Sequence, residues 1–330
     1  MNAKLKDVAQ AAGVSMSTAS RALANNPTIA QATRDKVQQI AKELNYRPNA
    51  QAQGLRASRS NSIGVIVPTL NNPYFSAMAS AIEEETSAAG LSTLVISSAE
   101  DPQRFARSVD TLLSHQSDGI IAVPIAGNEA TLAQAARIKP LLLIDRTVGE
   151  LPAVVSDPTP GMDAALAHLA DHGHRRVGFL SGPKNTSTGA QRFGAGREAA
   201  AKYGLDWVIH HGGFTHEEGF AGTKELLAQG VTAIVAGDGM MTTGALEACH
   251  REKVSLGSEL ALIGFDDVPF LRLQPAPVSV IDQDVDALAR RAAHELLAAV
   301  EKDGAQPQGS ISPSTFIARA SSDFDLPAPR

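Results

Sequence analysis

The chain has 330 residues, 43% of them hydrophobic, a single cysteine and a formal net charge of −6. That length exceeds one ordinary domain, and the lone Cys249 excludes an internal disulfide framework and predicts a reducing compartment. No apolar run approaches the ~20 residues of a membrane span, which excludes a membrane partner; the opening MNAKLKDVAQ has no apolar h-region, so a cytoplasmic protein is expected.

The charge is unevenly distributed. Through Ser60, nine Lys/Arg face only Asp7, Asp35 and Glu43, giving +6; the rest of the chain holds 20 basic and 32 acidic residues, or −12. A basic head on an acidic body implies two modules with different partners.

The head reads as three short helices. Leu5, Val8, Ala9 and Ala12 recur at helical spacing, and Gly13 breaks the pattern. Ser15 is placed to cap a second helix whose Ala19, Ala22 and Leu23 face inward. After a loop with Asn25, Asn26 and Pro27, Val37, Ile40, Ala41 and Leu44 give a third helix. Ala30 offers no capping oxygen for it, leaving Thr28 or Thr33 to compensate. Helix, tight glycine turn, helix over residues 5–24 is the spacing of a helix-turn-helix, whose second helix places its first residues at base edges. Ser17, Thr18 and Arg21 point outward; Arg suits guanine or a phosphate, and Ser15 and Ser20 suit phosphate oxygens. Met16 opens this helix and can touch a thymine methyl or turn toward Ala19. Residues 45–61 form a joint in which Pro48 can open a short helix that Gly54 weakens by about 1 kcal/mol.

From Ser62, apolar strands SIGVIVP, STLVISS, GIIAVPI and PLLLIDR alternate with helical stretches near 74–89, 102–116 and 128–137. The pattern restarts with RVGFLSG, WVIHHG, AIVAGD and ELALIGFD. This predicts an α/β body of two doubly wound parallel lobes, divided near Asp157–Gly161, with both sheet faces covered. The strand VSVIDQ and the helix 284–302 are expected to cross back to the first lobe. The expected domains are a head over 1–47, a hinge over 48–61 and a body over 62–330. Within the body, lobe 1 takes about 62–158 and 284–320, and lobe 2 about 159–283.

Ligands of open α/β sheets sit beyond the carboxyl ends of the strands. That rule selects Asn72 with Tyr74 and Phe75 after the first strand, then Asp145 and Arg146, Asp238, Asp266 and Gln283 at strand ends, and Arg192 after RVGFLSG. Such a set suits a compact polyol, with charged groups on vicinal hydroxyls and rings over C–H faces. His210 and His211 point to opposite faces of one strand, so no metal is expected there; His172 and His174 read as surface residues near a helix end. The glycines at 189–196 lack the dinucleotide fingerprint. Without GxSxG, Walker A or CxxC, no cofactor and no enzymatic activity are expected.

The segments LKDVAQAAGVSMSTASRALA, TRDKVQQIAKELNYRPNAQAQGLR and SIGVIVP resemble the lactose-repressor/galactose-repressor family of bacterial transcription regulators. The resemblance covers essentially the whole chain. It implies a dimer on a pseudo-palindromic double-stranded operator, with a joint that becomes a hinge helix on DNA. Leu55 matches the hinge leucine that wedges into a minor-groove step, and Ala52 the small residue beside it; Asn49 and Arg56 complete the joint's candidate contacts. The body is similar to periplasmic sugar-binding proteins, above all the ribose binder. This puts Asn72, Tyr74, Phe75, Asp145, Arg146, Arg192, Phe214, Asp266 and Gln283 on ligand positions, with Asp238 where that binder has Asn. Purine-sensing relatives have an aromatic residue where Arg146 stands. The expected effector is a ribose-like pentose or a ribose-containing metabolite. A solute-binding transport component, a sugar-converting enzyme and a global regulator with a phosphoprotein co-effector are the competing classes.

Overall fold

In the head, Leu5–Ala12 (α1) buries Val8, Ala9 and Ala12, so the apolar spacing becomes one packed face. The computed structural model describes residues 3–46, 60–302 and 305–326. Gly13 closes α1 at φ +68°, a left-handed position that glycine reaches without a steric cost. Ser15 then caps Met16–Leu23 (α2), its hydroxyl accepting from the Thr18 amide at 3.1 Å. Gln31–Glu43 (α3) begins at Ala30 with no side-chain cap. Neither threonine compensates: Thr28 donates through N–H and hydroxyl to Asn26, while the Arg34 guanidinium ties the preceding Ile29 carbonyl. The head core unites Val8, Ala9, Ala12, Ala19, Ala22, Val37 and Ala41, with Leu5, Leu23, Ile40 and Tyr46 packed on it. Leu44, expected in that stripe, is exposed; α3 has ended, and the Tyr46 amide turns back to the Ala41 carbonyl.

The chain divides into compact units over residues 1–60 and 61–330. The second unit has two six-stranded sheets. Its first half runs Ser62–Val67 (β1), Pro73–Ala88 (α4), Ser92–Ser97 (β2), Pro102–Ser114 (α5), Gly119–Ala122 (β3), Glu129–Ala136 (α6), Leu141–Ile144 (β4) and Ala153–Asp157 (β5). The second half runs Thr159–Asp171 (α7), Arg176–Ser181 (β6), Ser187–Tyr203 (α8), Asp206–His211 (β7), His216–Ala228 (α9), Ala233–Ala236 (β8), Gly239–Glu252 (α10), Ala261–Phe265 (β9), Pro269–Arg272 (α11) and Ser279–Asp282 (β10). Val285–Glu301 (α12), Ser310–Pro313 (β11) and Thr315–Ile317 (β12) complete it.

The first sheet has strand order β11-β5-β4-β3-β1-β2 and the second β12-β10-β9-β8-β6-β7. All pairs are parallel except β10–β12, which closes the second sheet's edge antiparallel. Strands β1, β3, β4, β8 and β9 are buried throughout, as helices on both faces require.

The lobe assignment of the late elements needs correcting. VSVID (β10) pairs with β9 in the second sheet and does not cross back; only α12 does, packing Leu288, Ala292 and Leu296 into the first core. Residues 315–320 do not belong to the first lobe as a block either, because β12 pairs with β10. The chain crosses between lobes after β5, after β10 and after β11. The first and last crossings are tied: the Ser314 amide donates to the Asp157 carbonyl, and its hydroxyl accepts from the Gly161 amide at 3.2 Å. Among the described residues no helix is long and apolar enough to cross a membrane.

Candidate functional site

On the head, Ser17 and Arg21 are exposed, and Thr18 and Ser20 are half-buried. Met16 is 48% exposed at the first position of α2, so it faces out rather than into the core. Ser15 is committed to the cap and also meets the Ser17 and Thr18 hydroxyls. Arg21 has no side-chain hydrogen bond or ion pair with any described residue, which leaves its guanidinium free for a partner. Asn49, Ala52, Leu55 and Arg56 lie outside the described residues.

A cavity of about 400 Å³ opens between the two sheets of the second unit, within the size range of small-molecule sites. Asn72, Tyr74, Phe75, Asp145, Arg146, Arg192, Phe214, Asp238 and Asp266 all line it. Gln283 stands behind them, accepting from Arg192 at 3.1 Å and donating to Asp266 at 2.7 Å. It therefore orients two lining groups rather than forming wall.

Local chain chemistry sets each position. Asn72 caps α4, accepting from the Tyr74 amide, with Pro73 at the first helical position. That turn aims Tyr74 and Phe75 into the cavity, edge to face at 5.3 Å. The Tyr74 hydroxyl donates to Asp145 at 3.0 Å. Asp238 caps α10, accepting from the Met241 amide at 2.8 Å. Asp145 and Asp266 end β4 and β9 with φ of +68° and +63°, left-handed backbone that Asp tolerates better than most residues and that costs energy to hold. Arg192 donates to the Gly237 carbonyl at 2.7 Å and lies 4.0 Å over the Phe265 ring. Phe214 sits between the two guanidiniums, 6.0 Å from Arg146 and 5.7 Å from Arg192. It needs Gly182, where a Cβ would come within 2.0 Å of its ring.

Burial dominates the electrostatics. It raises the Tyr74 hydroxyl well above its usual range, with the Asp145 and Asp266 charges adding to it. It also raises Asp238, against the Met241 amide and Arg192. Asp266 is pushed by burial up to about 7, with Arg192 and Gln283 opposing and Asp238 and Asp145 reinforcing. For Arg146, burial works downward but is overcome by the Glu100 hydrogen bonds and the Asp145 charge, so the group is held above its ordinary value. The Asp266 shift has a stability consequence. Between about pH 4, where an unfolded Asp titrates, and about pH 7, the folded chain holds a proton that the unfolded chain has released. The contribution is therefore full below pH 4 and lost as pH rises through 7. Melting at pH 5 and pH 8 should show Asp266→Asn gaining on the parent at the higher pH; an unchanged gap refutes the assignment.

Sequence reasoning missed Glu100, which grips Arg146 through both nitrogens at 2.9 and 3.1 Å. It follows the carboxyl end of β2, so the strand-end rule, applied to every strand, reaches it. Thr188 was missed as well; it lies in the wall at the start of α8, and its hydroxyl has no hydrogen-bond partner. His174 is not on the surface: it is fully buried, bonded to Thr232, and pushed down to about 4 by burial and the neighbouring His172 and His168. His210 is taken up by Glu225 at 2.7 Å. His168, His172 and Asp323 are the one grouping with metal-ligand spacing among the described residues, but His168 Nε2 already bonds Ser322, anchoring the tail.

Comparison with known proteins follows this division of the chain. Residues 4–49 match the model of bacterial regulatory proteins of the lacI family, and residues 166–322 that of the periplasmic binding protein-like domain. The solved structure of a probable LacI family transcriptional regulator from Corynebacterium glutamicum is 39% identical with a TM-score of 0.74, the match covering 79% of this chain and 98% of that one. The ribose operon repressor of Bacillus subtilis is 29% identical over 321 residues, 96% of this chain and 98% of its own. The HTH-type transcriptional repressor PurR of Haemophilus influenzae is 28% identical over 331 residues, again 96% and 98%. With a helix-turn-helix head and a two-lobed ligand-binding body, the chain belongs to the lacI family of bacterial regulatory proteins, DNA-binding regulators of transcription rather than enzymes.

Proposed function

We propose that the protein is a dimeric repressor of a sugar-metabolism operon, whose grip on a pseudo-palindromic operator is set by a ribose-like pentose or a ribose-containing metabolite. The observation that carries the effector class is the convergence of Asp145, Asp238, Asp266, Arg146 and Arg192 with Tyr74, Phe75 and Phe214 on one cavity. Carboxylates and guanidiniums serve vicinal hydroxyls, and rings cover the sugar's C–H face. Relatedness alone does not choose the ligand, because the ribose operon repressor and PurR relatives are almost equally identical. The polarity of the wall favours the sugar: three carboxyls and two guanidiniums offer more hydrogen-bonding groups than a flat nucleobase needs.

Dimerisation is supported by β2, an edge strand of the first sheet with Leu94 and Val95 each 37% exposed. Allosteric control is supported by the lobe junction, where the Thr147 amide of the first lobe donates to the Ser187 hydroxyl of the second at 2.9 Å. A ligand that shifts this closure moves the first lobes of the dimer and so the spacing of the two hinges. Coupling of about 1–3 kcal/mol changes operator occupancy 5–150-fold.

Operator-fragment titration with and without ribose, nucleosides and their phosphates tests the whole reading, with light scattering for the dimer. Calorimetry tests the cavity: ribose binding should be lost in Arg146→Ala. No heat with any pentose or nucleoside rejects the effector class.

A further inference from the structure

Glu100 stands on the cavity wall beside Arg146. Its carboxylate meets both terminal nitrogens of Arg146, at 2.9 and 3.1 Å, closing the planar fork that otherwise receives carboxylates and phosphates. Burial is not the reason, since the Glu100 side chain is half-exposed while that of Arg146 is buried. The backbone is held unfavourably at this turn: Ala99 and Glu100 have φ of +53° and +55°, left-handed positions that residues with a Cβ rarely adopt. The remaining Arg146 nitrogen, Nε, has no hydrogen-bond partner and lies 3.6 Å from Asp145.

The other guanidinium is no freer. Arg192 is occupied by Gly237 and Gln283. Around these two cations stand five carboxyls: Glu100, Asp145, Glu217, Asp238 and Asp266. His216, also on the wall, is paired with Glu247 at 2.8 Å. An anionic ligand entering this cavity meets an excess of like charge and no open cationic fork. A neutral polyol meets acceptors and donors without that penalty.

Resting on the reading that this cavity binds a sugar, we infer that Glu100 is its charge filter: by occupying Arg146 it restricts the effector to uncharged polyols and excludes phosphorylated or carboxylated sugars. The rival account, in which Glu100 only neutralises a buried Arg, leaves ligand selectivity untouched when Glu100 changes.

Calorimetry on the full chain with D-ribose, D-ribose 5-phosphate and D-ribonate separates the two. The parent is expected to favour ribose over both anions, and in Glu100→Gln and Glu100→Ala that preference should fall about tenfold or more, by an amount that shrinks with added salt. A folding artefact would weaken all three ligands together, so the ratio is read in variants that still bind ribose as the parent does. A ratio unchanged in both variants, or a parent preferring the phosphate, overturns the filter. If the parent ignores ribose but takes another pentose or a nucleoside, and the variants gain its phosphate, the filter stands and the ribose assignment falls. Silence toward every uncharged sugar and nucleoside and their phosphates overturns both.

Discussion

Arg21→Ala is expected to abolish operator recognition while leaving the effector cavity and the head fold intact. The side chain is exposed on α2 and bonded to no described residue, while the residues on either side of it in the helix pattern, Ala19 and Ala22, carry the packing. Truncating it removes no core atom and creates no cavity, so the stability change should stay within about 0.5 kcal/mol. A bidentate contact with a base is worth about 1–3 kcal/mol; with one contact from each head of a dimer, the loss is about 2–6 kcal/mol, or roughly 30- to 10⁴-fold in affinity. If Arg21 touches only phosphate, binding weakens on all duplexes alike and the salt slope becomes shallower by about one ion per contact. Competition between operator and random duplex at fixed salt distinguishes these outcomes. Undiminished operator binding by Arg21→Ala shows that α2 does not read the groove.

The same separation of roles explains what could be read directly from the chain. The head announces itself because its core is local: Val8, Ala12, Ala19, Ala22 and Val37 lie within thirty positions of one another, and the charge split marks its solvent face. The parallel strands are equally plain, since burial on both faces makes them continuous apolar runs. Strand ends then point to the cavity, which is why eight of the nine residues that rule selects line it and the ninth, Gln283, braces two of them; Phe214, also in the wall, came only from the resemblance to the ribose binder.

What stayed hidden is non-local. β10 looks like any other apolar strand, and only its pairing with β9 assigns it to the second sheet. β12 is three residues long and antiparallel, too short for a periodic signal. His174 lies in a polar string, DHGHRR, yet is buried because the tail returns over it and places Phe324 at 5.4 Å. Glu100 was missed because SSAEDPQ reads as an ordinary polar loop. Its role exists only once two left-handed residues turn it toward an arginine 46 positions away. The pairing of β10, the burial of His174 and the role of Glu100 each depend on a contact made far along the chain; the position of Glu100 just past β2 was within reach of the strand-end rule, but its grip on Arg146 was not.

The largest stability effect is expected at Arg192, which joins the cavity's charges to the core of the second lobe. It is 5% exposed, bonded to Gly237 and Gln283, and laid over Phe265. It also supplies positive charge to Asp238 and Asp266, opposing the effect of burial on both. Arg192→Met keeps an apolar stem against Phe265 but leaves those carboxyls uncompensated and strands the Gly237 carbonyl. Two buried acceptors, the Gly237 carbonyl and the Gln283 amide oxygen, lose their donor, at about 1–3 kcal/mol each; at about 2–4 °C per kcal/mol for a unit of this size, melting should fall by about 4–24 °C. The pH dependence identifies the cause. Without Arg192 the Asp266 carboxyl rises further, so at pH 5 it is neutral with or without the arginine and the loss is smaller, whereas at pH 8 the variant must hold a proton that the unfolded chain releases or carry an uncompensated buried charge, and the loss is larger. Adding Asp266→Asn removes that charge and should recover much of the pH 8 deficit, a non-additivity that contacting groups show and distant ones do not. A deficit equal at both pH values, or no recovery in the double variant, assigns Arg192 to packing against Phe265 alone and detaches the cavity's charge balance from the stability of the lobe.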